Sequence, residues 1–258
     1  MQLSLCFGRR ECSGVADARA EKLEKILAAA RRTAFYGPLL TSPSIEVGSV
    51  EQAVSSLPPI GIATYLENRE RFRNPGVRLA LFATDRVHTV PNGWRAMLGF
   101  PAEAIAGPLQ ALFRLAGRRE RIPASARRVV VHTGLGEPLV PDRAREGLWR
   151  AFDLPLFEEL RGSGGELLAF ECDAHAGLHL ETDSAVFEML DGELVVTSLV
   201  AVTYPVLRLR TGLTGTIDHR TCPCGGTVAR FLPAAAAAAV RKPPSRTFEM
   251  RLAKAAGA

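Results

Sequence analysis

Val129-Val-Val-His-Thr-Gly-Leu-Gly-Glu-Pro-Leu139, continued by Pro141 to Ala151 and Leu154-Pro-Leu-Phe157, sets the fold class of this chain. Val129-Val-Val131 is a β-branched run, which packs well on a pleated surface and predicts a strand. Gly134, Gly136 and Pro138 supply a turn. From Pro141 to Ala151 apolar residues recur at helical spacing, and a proline in the first turn sacrifices no hydrogen bond there. Leu154–Phe157 reads as a strand again. Strand, helix, strand is a βαβ unit, and it predicts an α/β fold.

Downstream of Gly162 the period changes to that of short strands. Leu167-Leu-Ala-Phe170, Leu178-His-Leu180, Ala185-Val-Phe187, Glu193 to Leu199 and Val206-Leu-Arg-Leu-Arg210 are separated by Gly and Asp turns, predicting an antiparallel β module. Arg208 and Arg210 alternate along the last of these and so share a face, suited either to a carboxylate or to solvent. Upstream, Leu23, Ile26, Leu27 and Ala30 make an amphipathic helix over Ala20–Arg32, followed by a turn at Phe35-Tyr36-Gly37-Pro38. Ser49 and Gln52 form a capping pattern for a short helix that ends at Leu57-Pro58-Pro59. Val77–Ala83 predicts a buried strand, and Pro101 to Ala116 helical pieces broken at Gly107-Pro108. The expected organisation is a variable N-terminus over 1–18, a helical lead-in and α/β core over 19–160, a β-rich module over 161–232 and a low-complexity, alanine-rich tail over 233–258.

Composition bounds the partners. Apolar residues make up 47% and charged residues 23% of 258 residues, ordinary globular usage that can bury a large core. No stretch approaches the roughly 18 apolar residues of a membrane span, and the first ten residues carry their charges after the apolar ones, the wrong order for a secretory signal. The expectation is a cytoplasmic protein with no membrane partner. The net charge of +5 comes with basic runs at Arg118-Arg119-Glu120-Arg121 and Arg127-Arg128, but few aromatics are interleaved, so a solvated face is expected and no nucleic acid. Five cysteines is an odd count, and in a reducing compartment it favours metal or free thiols over disulfides. Cys6 and Cys12 show no partner pattern.

Three segments in order resemble the phenylacetate-CoA ligase and coenzyme F390 synthetase branch of the adenylate-forming enzymes. Lys22 to Arg31 through Phe35-Tyr36, with Val50 to Pro58, is similar to that family's opening helix and turn. Val129 to Leu139 is similar to its strand and "GGEPLS" loop. Phe170-Glu-Cys172, Gly177-Leu-His179, Gly192 to Leu199, Tyr204 to Gly212 and Cys222-Pro-Cys-Gly225 are similar to "FECxxxxGxHI", "GELVxTxL", "PLIRYRTGD" and "CxCG". The resemblance implies a partial adenylation domain with a zinc-stabilised β module.

The departures from the family fall on its catalytic parts. A ligase of this type holds triphosphate in a Ser/Thr/Gly-rich loop, whose backbone N–H groups and hydroxyls neutralise the leaving pyrophosphate; the stretch between Val77 and Val129 holds no such run. Where the family has "YGxTE", with Thr on phosphate and Glu on magnesium, Arg161 or Gly162 stands, and Glu166 substitutes only with a shifted register. The ribose-binding aspartate is Leu213. The family's closing domain with its catalytic lysine would follow Cys224-Gly-Gly226, near the end of the sequence, so in-chain thioester formation is not expected. Gly134 and Glu137 sit where the family lines its adenine pocket, the turn around Gly162 offers backbone N–H groups to an anion, and Arg210 offers a guanidinium. These four are the candidate contacts for ATP or AMP, with Mg.

Cys172, His179, Cys222 and Cys224 form a set of the Cys₃His type that tetrahedral zinc takes. His179 follows the family pattern, with His175 as the rival fourth ligand. A closed set of four implies a structural ion, because catalytic zinc keeps a position open for water. His132, at the end of a buried strand, is expected to be a satisfied core histidine. The expected function is a degenerate ligase relative that binds an aryl or acyl carboxylate or partners a full-length ligase; the alternative is a ligase subunit completed by a separate chain.

Overall fold

In a computed structural model of the protein, residues 5–40, 49–77, 87–89, 103–117 and 124–234 are described. The strand expected over Val77–Ala83, the basic run at Arg118–Arg121 and the alanine-rich tail fall outside them, apart from Val77, Pro233 and Ala234. The chain forms two compact units. One comprises Met1–Ala80, Arg161–Leu168 and Leu180–Thr216; the other comprises Leu81–Leu160, Ala169–His179 and Ile217–Ala258.

The second unit contains the βαβ core. Strands β1 (Val87–Thr89), β2 (Ala104–Pro108) and β3 (Arg128–Gly134) pair in parallel, with Ile105 opposite Val129 and Ala106 opposite Val130. The valine run feeds both faces of the sheet, as the two-residue period of a strand requires. Val129 and Val131 pack with Ile105, Leu112, Leu115, Leu148, Phe152 and Leu156, whereas Val130 packs with Ala104 and Ala106. Helix α4 (Leu109–Gly117) crosses from β2 to β3, and α5 (Asp142–Phe152) follows β3. Pro141 is the cap of α5 at φ −71°, and Asp153 closes it in the left-handed region, its N–H donating to Trp149 O. Strands β4 (Leu156–Arg161), β5 (Leu167–Glu171), β6 (Leu178–Leu180) and β10 (Arg230–Pro233) continue the sheet in that order from β3.

One expectation fails here. Residues 104–108, read as helical, are strand β2. Ala-Ile-Ala-Gly-Pro is too short to show a period, and its small side chains are settled by pairing with β3.

The first unit gathers the helices around β7 (Ala185–Leu190), β8 (Glu193–Ser198) and β9 (Leu209–Asp218). Helix α1 runs Leu5–Arg31, well beyond the expected start at Ala20; the buried stripe of Leu23, Ile26 and Ala30 lies in its second half, where the helical period is legible. Helix α2 (Val50–Ser55) starts as expected, with Ser49 Oγ accepting from Gln52 N–H at 3.2 Å. Helix α3 (Ile62–Glu67) and a 3₁₀ turn (Arg69–Phe72) bring Tyr65 and Phe72 onto Phe35 and Tyr36: Phe35 stacks on Phe72 at 4.0 Å, and the two tyrosines meet Phe72 edge-on. Arg208 is not in the strand with Arg210. It sits at φ 49° ahead of β9 and donates to Ser55 O and Leu57 O, the end of α2. The two arginines therefore do not share a strand face.

Candidate metal centre

Cys172 directly follows β5, where the chain turns: His175 takes φ 48°, its N–H donating to Cys172 O, and Gly177 takes φ +95° before β6. A Cβ on Gly177 would lie 2.6 Å from Leu232 Cδ2 and 2.7 Å from Phe231 O, so only glycine admits this close approach to β10. His179 is the middle residue of β6 and pairs with Arg230 of β10; its ring stacks on Phe170 at 5.4 Å.

Cys222-Pro-Cys-Gly-Gly226 is a tight knuckle. Cys222 N–H donates to Gly226 O, Gly225 N–H to Cys222 O with Gly225 at φ +86°, and Gly226 N–H points at Cys224 Sγ from 3.4 Å. The turn folds two cysteines towards one point.

The result is a cluster of four donor atoms, from Cys172, His179, Cys222 and Cys224, all within 4.8 Å of one another. Cys172 Sγ lies 3.7 Å from Cys222 Sγ, and Cys224 Sγ lies 3.5 Å from His179 Nε2. Zinc–sulfur and zinc–nitrogen bonds in tetrahedral geometry require S···S edges of roughly 3.8 Å and S···N edges of roughly 3.6 Å. The spacing and the chemistry of the donors both fit such an ion, and the cluster could hold a metal. Burial works against the Cys222 thiolate. It is outweighed by hydrogen bonds from the Cys224 backbone and from the side chains of Cys224, Cys172 and His179, which bring the thiol down to about 6. Cys172 is pushed up, by burial first and then by its two cysteine neighbours. The shift at Cys222 is in the direction of the thiolate, the form that binds metal.

His175, the rival ligand, is engaged elsewhere. Its Nδ1 lies 3.0 Å from Glu171 Oε1 and its ring stacks on Phe157. Glu171 belongs to a buried network that the sequence did not reveal. Arg145 of α5 bridges Glu158 and Glu171 at 2.8 Å each, and Val140 N–H and Thr133 Oγ1 donate to Glu158. Burial pushes the Glu158 carboxyl up, against these donors and Arg145. The signal was Arg145, a charge placed four residues into a helix that packs on β4. Arg230 and Asp218, beside the knuckle, were missed as well.

The four candidate nucleotide contacts are held within their own units. Gly134 N–H donates to Glu137 Oε2 at 2.9 Å and Glu137 N–H returns to Gly134 O, so that turn closes on itself. Gly162 N–H donates to Glu166 O, and the Glu166 carboxylate folds against Gly162, accepting from Gly164 N–H and Ser198 Oγ at 2.9 Å each. Arg210 is paired with Glu193 at 2.7 Å and Asp191 at 3.1 Å. Leu213 is buried in β9. His132 Nε2 lies 3.5 Å from Glu159.

No protein-family model matches the sequence, and none of the curated proteins does. Among solved structures, the chain is similar to a 2-hydroxyisobutyryl-CoA ligase solved with 2-HIB-AMP and CoA, at 18% identity over 51% of this chain and 32% of that one, with a TM-score of 0.42. It is also similar to an unliganded O-succinylbenzoate coenzyme A synthetase from Bacillus subtilis, at 16% identity over 54% of this chain and 33% of that one, TM-score 0.34. The chain spans about a third of the length of these proteins. No helix among the described residues is long and apolar enough to cross a membrane.

Proposed function

We propose that this protein is a degenerate relative of the phenylacetate-CoA ligases, held together by a structural zinc ion and acting as a binding or partner protein rather than as a ligase. The observation that carries the reading is the four-donor cluster: the donor atoms of Cys172, His179, Cys222 and Cys224 converge within 4.8 Å of one another from the positions that resemble the family's "FEC", "GxH" and "CxC" motifs. Zinc is the ion that three thiolates and an imidazole suit, and with four protein donors no position is left for water, so its role is to hold the fold. The segments 169–179 and 217–234 are the parts of the chain it would pin.

The non-catalytic half of the reading is supported by residues. Leu213, apolar and buried, occupies the place of a ribose-binding aspartate. The Glu166 carboxylate, the stand-in for the magnesium ligand, accepts hydrogen bonds from its own loop and Ser198. Arg210 is committed to two carboxylates. A cytoplasmic location suits reduced cysteines. The partner would be an aryl or acyl carboxylate, or a complete ligase.

Two measurements test the two halves. Metal analysis of the purified chain is expected to give close to one zinc per molecule, and Cys222→Ser is expected to lose it and to melt at lower temperature; a zinc-free chain of unchanged stability removes the metal centre. ATP–pyrophosphate exchange with a panel of aryl and acyl acids is expected to be silent. Exchange by the chain alone overturns the non-catalytic reading, and exchange only on adding a second chain supports the split-subunit alternative.

A further inference from the structure

Arg230 is a buried guanidinium at 5% exposure, and it is aimed at the cluster from the strand that pairs with His179. Its Nη1 points at Cys222 Sγ from 3.4 Å and donates to Ala176 O at 2.8 Å, while Nη2 donates to Asp218 Oδ2 at 2.9 Å. One nitrogen therefore touches a candidate ligand and also the turn that leads through Gly177 to His179. Asp218 cannot balance this cation alone, because Arg220 occupies the same carboxylate through Nε at 2.9 Å and Nη2 at 3.2 Å. Arg220 is exposed and its charge is met by water, whereas Arg230 is not. A buried cation that shares its carboxylate with a second arginine needs a further anion nearby.

A divalent ion held by three thiolates and one imidazole carries one net negative charge. We propose that Arg230 is the positioning residue of the metal centre: its charge offsets that of the bound thiolate cluster, and its fork fixes Cys222 relative to the His179 turn. The inference rests on the metal reading above and deepens it. Partners just outside a metal's own ligands orient those ligands, and removing one costs on the order of 10–100-fold in affinity.

The test uses the full chain with Co²⁺ as the probe, read by chelator competition and by the thiolate-to-cobalt charge-transfer band. Arg230→Met, which keeps an unbranched apolar stem and removes the charge, is expected to weaken Co²⁺ binding by about 10–100-fold. Arg230→Lys keeps the charge but cannot span both contacts, and is expected to fall between the two. Binding by R230M as tight as that of the unaltered chain, with the same band, overturns the proposal and leaves the metal centre standing. If R230M does not fold, R230K decides: weaker Co²⁺ binding with an unchanged circular dichroism spectrum supports the role, and unchanged affinity overturns it. An unaltered chain that binds neither Zn²⁺ nor Co²⁺ removes the metal reading itself, and this inference with it.

Discussion

At Glu166 the chain folds a half-buried carboxylate over a glycine and closes it with Ser198 Oγ and Gly164 N–H. Desolvation raises its pKa above the ordinary 4.5, more than the hydrogen bonds from its own loop and Ser198 lower it. The sign follows from linkage. Above 4.5 the folded chain holds this proton more tightly than the unfolded chain, so the site's contribution is present below 4.5 and is lost as pH rises through the raised value. Glu166→Gln, which keeps the shape and carries no charge, is therefore expected to gain stability relative to the unaltered chain as pH rises across that window, measured by denaturant unfolding at several pH values. A constant difference at all pH values contradicts the buried-carboxylate account. The residues that matter most at this scale were unequally visible in the sequence. Cys172, His179, Cys222 and Cys224 stood out as residue types that bind metal. Arg230 looked like any other arginine, since its importance lies in the strand it pairs with.

Between elements, one hydroxyl ties the turn after α1 to the segment before β9. Buried Tyr36 accepts from Leu207 N–H at 2.9 Å and donates to Leu207 O at 3.3 Å. Burial raises the phenol well above its ordinary value, against the Leu207 hydrogen bond, so it stays neutral and can do both. Tyr36→Phe keeps the ring packing on Phe72 but leaves both backbone groups of Leu207 without this partner, which is expected to cost about 1–3 kcal/mol in denaturant unfolding. A change of only a few tenths would mean that water replaces the hydroxyl. Local signals were sufficient for α2, where Ser49 caps as its spacing predicts, and for α5. They were insufficient at residues 104–108, whose strand character comes from β3, and at Arg208, whose left-handed backbone is set by its hold on the end of α2.

For the molecule as a whole, the candidate metal ligands all belong to the unit that contains residues 81–160, 169–179 and 217–258. Metal binding is folding energy for the segments it joins, so stripping the ion with a strong chelator is expected to speed hydrogen exchange in 169–179 and 217–234 more than in α2, α3 and the Phe72 cluster of the other unit. Equal acceleration in both units, or none, would contradict a local structural ion.

By itself the sequence determined the element types where their period is strong, the α/β class, and the inventory of thiols and imidazoles that makes a metal centre chemically possible. These are properties of neighbours along the chain: alternation, capping and turn residues. The family pattern points to His179 over His175, and tertiary structure supplies the physical reason: a turn at Gly177 seats His175 on Glu171 and His179 opposite Arg230. Tertiary structure alone decided that 161–168 and 180–216 pack with the first 80 residues while 169–179 packs with the βαβ core. Long-range pairing is chosen by the fit of buried surfaces and the cancelling of buried charge. Separation along the chain adds only a slowly growing closure cost, so the order of residues carries little record of that choice.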